Sequence, residues 1–354
     1  MKKKIAIIGS GFFGLTCAIM LSKKYKVEVF EKKNSILCGA SRANQMRFHL
    51  GYHYPRSSKT VEEIKKHYKD FLNFYGKKVL GSTVNFYGIS KEKSKTSFED
   101  YLNFLKKWKL KYKLTKNKEF TNKIEGQILS KEKILNYFKI KEIIKKKIIK
   151  NNIKIKFNSN FKKSDIKKYD KIILSTYDQN NKILKELGIK EKKKFKFELV
   201  EKIIIKLPKK FRNKSYMVLD GKFICLDPYL GTNFHLLSDV KFSKIEIVEN
   251  SIPIFKNNKK RFLNKGVIKD KKVSNYNHFL KSGLRYLTFL KYSKYVGSFF
   301  VTRALQINKE KTDERLSEIT RYGNNLICIF SGKWNTCVGV AKNVCKIIDK
   351  DFVN

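Results

Sequence analysis

A glycine motif between a predicted strand and a predicted helix constrains this chain more than any other feature. Residues 4–8 (Lys-Ile-Ala-Ile-Ile) form a short apolar, β-branched run, which is typical of a strand buried on both faces of a parallel sheet. The next six residues read Gly-Ser-Gly-Phe-Phe-Gly, and an apolar helical stretch follows through Leu21. Residues 27–31 alternate as a second strand and end in Glu31, 22 residues after Gly9. This order and spacing predict a βαβ dinucleotide-binding site.

Each part of the motif has a physical role in holding a dinucleotide. Gly9 permits the tight turn, Gly11 lets the backbone approach a pyrophosphate, and Gly14 allows the helix to pack on the strand. The pyrophosphate would then bind the free N–H groups at the amino end of the helix. Glu31 would accept hydrogen bonds from ribose hydroxyls, and its charge disfavours a 2′-phosphate. The motif therefore predicts FAD or NAD as the ligand and argues against NADP.

The composition predicts a folded protein and raises the question of a nucleic-acid partner. The 354 residues suggest about two domains, and 42% of them are hydrophobic, which is enough for sizeable cores. The formal net charge of +49 would suit a nucleic-acid-binding protein. However, only nine residues are Arg, which makes bidentate phosphate and guanine contacts, and the lysines run along the whole chain. They accompany Ile, Asn, Phe and Tyr, residues with A/T-rich codons, so genome composition is a sufficient cause and nucleic acid stays an alternative partner.

The cysteines and the uncharged N-terminal stretch lead us to expect a cytoplasmic protein. Six cysteines occur without a CxxC pair or clustered His, so zinc has no support and free thiols in a reducing compartment are expected. Residues 5–22 carry no charge and follow three lysines, a pattern that also occurs in signal peptides. The glycine spacing inside this stretch favours the dinucleotide motif. We expect no membrane span, and the oligomeric state stays open.

The segment after Glu31 distinguishes FAD from NAD. Residues 38–56 (Cys-Gly-Ala-Ser-Arg-Ala-Asn-Gln-Met-Arg-Phe-His-Leu-Gly-Tyr-His-Tyr-Pro-Arg) are polar and glycine-punctuated, where an NAD domain would have another helix and strand. Here the chain resembles the D-amino-acid oxidase-type flavoproteins, which include glycine oxidase, sarcosine oxidase and 2-hydroxyglutarate oxidase. The resemblance implies FAD as the cofactor. It also implies that residues 40–44 form the small-residue flavin loop and that residues 49–54 continue beside the isoalloxazine ring.

The resemblance covers essentially the full chain and implies an α/β fold of two interleaved domains. One is a Rossmann-type FAD-binding domain with a parallel sheet, and the other is an α+β substrate domain with a mostly antiparallel sheet. We expect the FAD-binding domain in residues 1–78, 131–194 and 306–354, and the substrate domain in residues 79–130 and 195–305.

Local patterns predict individual elements within this frame. A helix is expected over residues 60–75, with Thr60 as its N-cap and Glu63 completing a capping box. Ser130 is expected to open another helix over residues 131–151. Asp220-Gly221 is a hairpin turn signal between two strand-like runs.

The resemblance assigns further cofactor contacts to two strand ends. The strand over residues 171–176 should end at the cofactor, although relatives have a small residue and Gly where this chain has Thr176-Tyr177-Asp178. The last strand, residues 326–330, leads into residues 331–334, a loop that relatives use for the flavin pyrimidine edge and that is more glycine-rich in them. The predicted cofactor-binding residues are Gly9, Gly11, Phe12, Phe13, Gly14, Glu31, Lys32, Arg42, Ala43, Asn44, Thr176, Gly332, Lys333 and Trp334.

The implied chemistry is hydride transfer to flavin N5 from a carbon that bears an amine or a hydroxyl. Lys333 with the following helix would supply positive potential at the flavin N1–C2=O edge, with Arg42 or Arg47 as alternatives. Arg303 is predicted to bind a substrate carboxylate, because relatives have an Arg near this distance before the final loop. His49 and His53 are the predicted bases for a hydroxy acid. Competing candidates are Arg56 and Arg315 for the carboxylate, His235 for the base, and Tyr52, Tyr54 and Tyr229 for the pocket wall.

We therefore expect an FAD-dependent oxidase or dehydrogenase acting on a small, anionic amine or hydroxy acid, with no metal. Two alternatives stay open: a flavoprotein that acts on tRNA or another polyanion, and a non-redox flavoprotein that acts on a sugar. Steep salt dependence of binding would support the first alternative. Bound flavin that no amine, hydroxy acid or sugar bleaches would support the second.

Overall fold

The computed structural model describes residues 2–221, 223–309 and 311–353. The strands are β1 Lys4–Ile8, β2 Lys26–Phe30, β3 Arg47–Phe48, β4 Leu80–Gly81, β5 Val84–Ser90, β6 Tyr112–Leu114, β7 Ile124–Ser130, β8 Lys133–Leu135, β9 Lys154–Lys156, β10 Lys171–Leu174, β11 Phe195–Lys206, β12 Lys214–Leu219, β13 Ile224–Tyr229, β14 Phe234–Asp239, β15 Lys244–Asn250, β16 Lys294–Leu305, β17 Glu318–Tyr322 and β18 Leu326–Phe330. The α-helices are α1 Phe12–Leu21, α2 Ser58–Tyr75, α3 Phe98–Lys107, α4 Tyr137–Lys150, α5 Asn180–Glu186, α6 Tyr276–Leu284 and α7 Cys337–Val353.

A six-stranded sheet in the order β17-β18-β10-β1-β2-β9 holds the glycine motif. Its strands run parallel except β17, which pairs antiparallel with β18 at the edge. Side chains of β1 alternate between two cores: Ile5 and Ile7 face the core that contains α1 and α7, whereas Ala6 and Ile8 face the core that contains α5. Burial on both faces explains why β1 reads as a continuous apolar run.

A nine-stranded sheet forms the other half of the molecule, in the order β15-β11-β14-β13-β12-β5-β7-β6, with β16 paired to β11. Its pairs are antiparallel except for β12 and β5. The hairpin predicted at Asp220-Gly221 is present as β12 and β13, in register at Tyr216 and Leu226. The predicted fold class, a parallel sheet combined with a mostly antiparallel one, is confirmed.

The prediction that Ser130 opens a helix is wrong. Residues 133–135 form β8, which pairs with β3 and β4 in a small third sheet, and α4 begins only at Tyr137. The Asn136 side chain caps α4 by accepting hydrogen bonds from the backbone N–H groups of residues 138 and 139. Ile134 and Leu135 are fully buried, and this tertiary packing overrides the helical charge pattern around them.

The predicted cap of α2 is also wrong by one turn. The helix begins at Ser58, and the Ser57 side chain accepts the N–H of Thr60. Glu63 forms no capping box, because its carboxylate accepts the distant Ser317 N–H at 3.3 Å. The Thr60 hydroxyl likewise accepts the Arg315 N–H at 3.0 Å, so both residues tie α2 to the segment that precedes β17.

Candidate functional site

The turn between β1 and α1 requires glycine at two positions for steric reasons. Gly9 has φ +102°, in the left-handed region, and a Cβ there would lie 2.5 Å from the Ser175 carbonyl oxygen. A Cβ on Gly14 would lie 2.1 Å from the Gly9 carbonyl oxygen, which no packed structure accommodates. These close approaches bring the turn against β10 and the first turn of α1 against the strand end.

Gly11 is different, because its surroundings are open. It is the N-cap residue of α1, and as a glycine it has no side chain to cap that helix end. A Cβ on Gly11 would meet one atom within 4 Å, the Ser41 Oγ at 3.3 Å. The same hydroxyl accepts the Phe12 N–H at 3.3 Å. A helix start without an N-cap side chain, beside an open glycine face, is suited to a phosphate group.

Glu31 lies at the carboxyl end of β2 and is held in place by the glycine turn. Its Oε2 accepts hydrogen bonds from the Ser10 N–H at 3.0 Å and the Ser10 hydroxyl at 2.6 Å, and its Oε1 accepts the Lys33 N–H at 2.8 Å. The side chain is half-buried and lines the same cavity as Gly11. An acid beside a phosphate cradle at adjacent strand ends is the arrangement that binds a nucleotide ribose.

One cavity of about 710 Å³ lies where the carboxyl ends of β1, β2, β10 and β18 meet β11 and β16. Predicted site residues on its wall are Gly9, Gly11, Phe12, Phe13, Glu31, Lys32, Ala43, Asn44, His49, His53, Thr176, Arg303, Gly332, Lys333 and Trp334. Two predicted cofactor residues lie elsewhere. Gly14 packs behind the turn, and the Arg42 guanidinium lies over the Phe299 ring, 5.4 Å from its centroid.

The predicted flavin loop is shaped by Asn44. Its amide Nδ2 donates to the Ala40 and Ser41 carbonyls at 3.2 and 3.0 Å, and its Oδ1 accepts the Met46 N–H at 2.7 Å. Met46 takes the left-handed conformation, with φ +56°. The loop therefore turns sharply before β3 and presents its small residues to the cavity.

Arg47 follows this turn and is engaged in the protein core. Its side chain is 1% exposed, and its guanidinium contacts Asp227 at 2.6 Å and Glu132 at 3.3 Å. It also donates to the Ser215 hydroxyl at 2.6 Å. The two buried carboxylates compensate the positive charge of the Arg47 guanidinium. Arg47 is therefore a structural residue that joins β3 to the nine-stranded sheet.

His49 and His53 lie together on the cavity wall, with ring centroids 5.6 Å apart. Burial lowers the pKa of both imidazoles, and the nearby Lys333 lowers it further, so both rings are neutral at neutral pH. His49 Nδ1 lies 3.6 Å from Glu132 Oε1. A neutral imidazole on a cavity wall can accept a proton. The competing candidates His235, Tyr52, Tyr54 and Tyr229 do not line the cavity.

Four cations, which we call the basic cluster, lie on the cavity wall: Lys202, Arg303, Arg315 and Lys333. Arg303 Nε donates to Glu198 at 2.6 Å, and Arg315 pairs with Asp313. Lys202 donates to the Ser238 hydroxyl at 2.5 Å, and the Lys333 ammonium lies 4.6 Å from the Tyr54 ring centroid. Burial lowers the pKa of Lys202 to about 8 and that of Lys333 to about 7.

Sequence reasoning missed Lys202, Glu198 and Asp313. Lys202 lies on β11, a strand whose polar and apolar residues alternate only in part, so the pattern does not show which way its side chain faces. Because lysine is the most abundant residue type of the chain, one more lysine also gave no signal. Glu198 is fully buried on the same strand. The signal that could have drawn attention to it is the presence of acids, Glu198 and Glu201, within the mostly apolar stretch 195–205.

The fold and the site together are typical of a dinucleotide-binding protein, and comparisons with known proteins show which family the chain resembles. Residues 4–159 match the family described as DAO, FAD dependent oxidoreductase. The FAD-dependent monooxygenase FPY4 of Fusarium mangiferae is 30% identical over 98 residues, which cover 27% of this chain and 27% of that protein. The FAD-dependent monooxygenase kojA of Aspergillus flavus is 33% identical over 78 residues, 22% of this chain and 18% of that protein. The matches thus span about a quarter or less of these curated relatives.

Solved structures agree over nearly the whole chain. L-alpha-glycerophosphate oxidase from Mycoplasma pneumoniae, with FAD bound, superposes with a TM-score of 0.74 at 13% identity, covering 99% of this chain and 95% of that one. Glycine oxidase from Geobacillus kaustophilus superposes with a TM-score of 0.72 at 11% identity, covering 98% and 95%. At these identities the likeness concerns the fold.

Residues 4–159 thus match a family of FAD-dependent oxidoreductases, and the cofactor of that family is FAD. The family resemblance, the fold class and the cofactor predicted from the sequence are confirmed. Within the described residues, no helix is long and apolar enough to cross a bilayer, and no cluster of three or more His, Cys, Asp or Glu side chains could hold a metal ion.

Proposed function

We propose that the chain removes a hydride from the amine- or hydroxyl-bearing carbon of a small anionic substrate. One observation carries this proposal: a single cavity joins the phosphate cradle at Gly11 to the two histidines and the basic cluster. A cofactor site and a cationic substrate site that share one enclosed space can bring a substrate carbon against a flavin.

The residues of the cavity fit FAD. The start of α1 and the open face of Gly11 would hold the pyrophosphate, and Glu31 would hold the ribose. Ala43, Asn44 and residues 332–334 would flank the ring. When bound, FAD supplies a hydride acceptor at N5.

The chain's own groups then orient the substrate and move its protons. Arg303 uses Nε and Nη2 to bind Glu198, which leaves Nη1 outside that ion pair for a substrate carboxylate. His49 or His53, each neutral, would accept the hydroxyl proton of a 2-hydroxy acid. Lys333 would provide positive potential beside the ring.

The remaining sequence-based predictions belong to this proposal. The five-segment domain division is supported by the two large sheets, whose strands come from alternating parts of the chain. A cytoplasmic location is supported by six cysteines that are all free thiols. The tRNA or polyanion alternative and the sugar alternative stay predictions.

Anaerobic screening tests the proposal directly. Purified protein should be yellow. A panel of amines, amino acids and hydroxy acids should contain compounds that bleach the visible flavin absorbance about as fully as chemical reduction of the flavin does. Colourless protein that does not bind added FAD would overturn the assignment. Flavin that no amine or hydroxy acid bleaches would refute the reaction and favour the sugar alternative.

A further inference from the structure

Two ammonium groups of the basic cluster, those of Lys202 and Lys333, lack a carboxylate partner among the described residues. The guanidinium groups of the cavity are paired: Arg303 with Glu198, Arg315 with Asp313 and Arg56 with Asp220. Among the described residues, by contrast, neither Lys202 nor Lys333 has a carboxylate oxygen within 4 Å of its Nζ. Lys202 contacts a neutral hydroxyl and Lys333 an aromatic ring.

The surroundings of these two lysines increase the imbalance. Lys333 is close enough to Arg315, Arg303 and Lys202 to be repelled by all three, and Asp313 is the acid that opposes them. Lys202 is repelled by Arg303, while its nearest acids, Asp227 and Glu198, already pair with Arg47 and Arg303. Within the basic cluster, Glu198 pairs with Arg303 and Asp313 with Arg315. Lys202 and Lys333, in their protonated forms, have no carboxylate partner among the described residues.

Lys202 and Lys333 are half-buried, and an ammonium group that is partly withdrawn from water without an acidic partner is destabilised. A ligand that brings the opposite charge relieves that cost. The two lysines project from different elements, Lys202 from β11 of the nine-stranded sheet and Lys333 from the loop after β18 of the six-stranded sheet. One carboxylate neutralises one of them. We propose that the substrate carries two negative charges, as a dicarboxylate or a phosphate ester does, and that Lys202 binds the second charge; this inference rests on the proposed function.

Binding of unreactive anions to the flavin-loaded enzyme tests this inference without turnover. Butyrate and succinate have the same carbon chain and carry one and two carboxylates, and neither has an amine or hydroxyl to oxidise. At constant ionic strength, titration followed by the visible flavin spectrum and by calorimetry should give a Kd for succinate or inorganic phosphate at least about tenfold below that for butyrate, since a hydrogen bond to a charged group is at stake. Tighter binding of phosphate would indicate a phosphate ester, and tighter binding of succinate a dicarboxylate.

The Lys202→Met variant should bind succinate no better than butyrate. Lys206→Met is the matched control, because Lys206 is exposed at the end of the same strand and should leave both Kd values unchanged. Lys202→Gln serves as a second variant if the first does not fold. Equal Kd values for all three anions, or equal losses in the Lys202 and Lys206 variants, would overturn the inference. Failure of the proposed function would show separately, as flavin that no substrate reduces.

Discussion

Separate replacement of Gly11 and Gly14 tests the phosphate cradle, because the two glycines have opposite surroundings. Gly11 has φ −76° and ψ −178°, which any residue adopts, and an added Cβ meets only the flexible Ser41 hydroxyl at 3.3 Å. Gly11→Ala should therefore change the free energy of unfolding by less than about 1 kcal/mol. In Gly14→Ala the new Cβ would lie 2.1 Å from a backbone oxygen, so the turn or α1 must move. We expect a loss of about 3 kcal/mol, the upper end of the overpacking range.

We expect Gly11→Ala, which should leave stability nearly unchanged, to weaken FAD binding directly. A methyl group on Gly11 occupies the space in which the backbone would approach the pyrophosphate. Loss of one hydrogen bond to a charged group costs about 1.5–3 kcal/mol, which weakens binding by about tenfold to a hundredfold. The larger side chain of Gly11→Val should abolish flavin content altogether.

Two measurements separate these effects. Thermal unfolding of the apoprotein, followed by circular dichroism, reports stability, and quenching of FAD fluorescence on titration with apoprotein reports affinity. Gly11→Ala should keep the wild-type unfolding temperature with weakened FAD binding, whereas Gly14→Ala should unfold at lower temperature. A Gly11→Val protein that purifies yellow and fully loaded would refute the assignment of the cradle.

Three further predictions concern charged and titratable groups. Arg303→Ala should raise KM for an acidic substrate by about tenfold to a hundredfold, and an unchanged KM in steady-state assays would exclude a role in carboxylate binding. Arg47→Met should lower the free energy of unfolding by about 3–5 kcal/mol in urea titrations, because two buried carboxylates lose their cation; an unshifted midpoint would contradict this. Burial lowers the pKa of His49 and His53, so the base form is present at neutral pH. As the pH falls from about 8 to 6.5, where Lys202 and Lys333 gain protons, kcat/KM for a hydroxy acid should not decline, and it should fall only in more acidic solution. A decline that already begins above pH 7 would rule these histidines out as the base.

The parts of the site that were predictable from the sequence are those in which local backbone geometry dictates the residue. The glycine turn is readable because Gly9 needs a positive φ and Gly14 a close backbone approach, and both constraints act within six residues. Glu31 is readable because the strand–helix–strand unit fixes its distance along the chain. The hairpin at Asp220-Gly221 could be predicted because an Asp-Gly pair between two strand-like runs is itself a local turn signal.

The features that were mispredicted or missed depend on contacts distant in sequence. Glu63 has the spacing of a capping residue, yet it accepts a backbone N–H from Ser317, more than two hundred residues away along the chain. The segment after Ser130 has helix-forming lysines and an acid, but Glu132 is buried against Arg47 and forces a strand. Competition of this kind between local preference and tertiary pairing is not encoded in any short window.

The charge of the chain shows why composition is a poor guide to its function. A net charge of +49 describes all lysines alike, whether they are solvated or buried. Lys206 and Lys202 lie four residues apart on β11, yet the first is exposed and the second lies on the cavity wall. Water stabilises the ammonium form of an exposed lysine, whereas burial destabilises the ammonium forms of Lys202 and Lys333 and lowers their pKa values. Neither has a carboxylate partner among the described residues. Under the proposed function, the charge that acts on the substrate comes from a few half-buried positions on the cavity wall, and the remaining surplus bears on solubility and non-specific association.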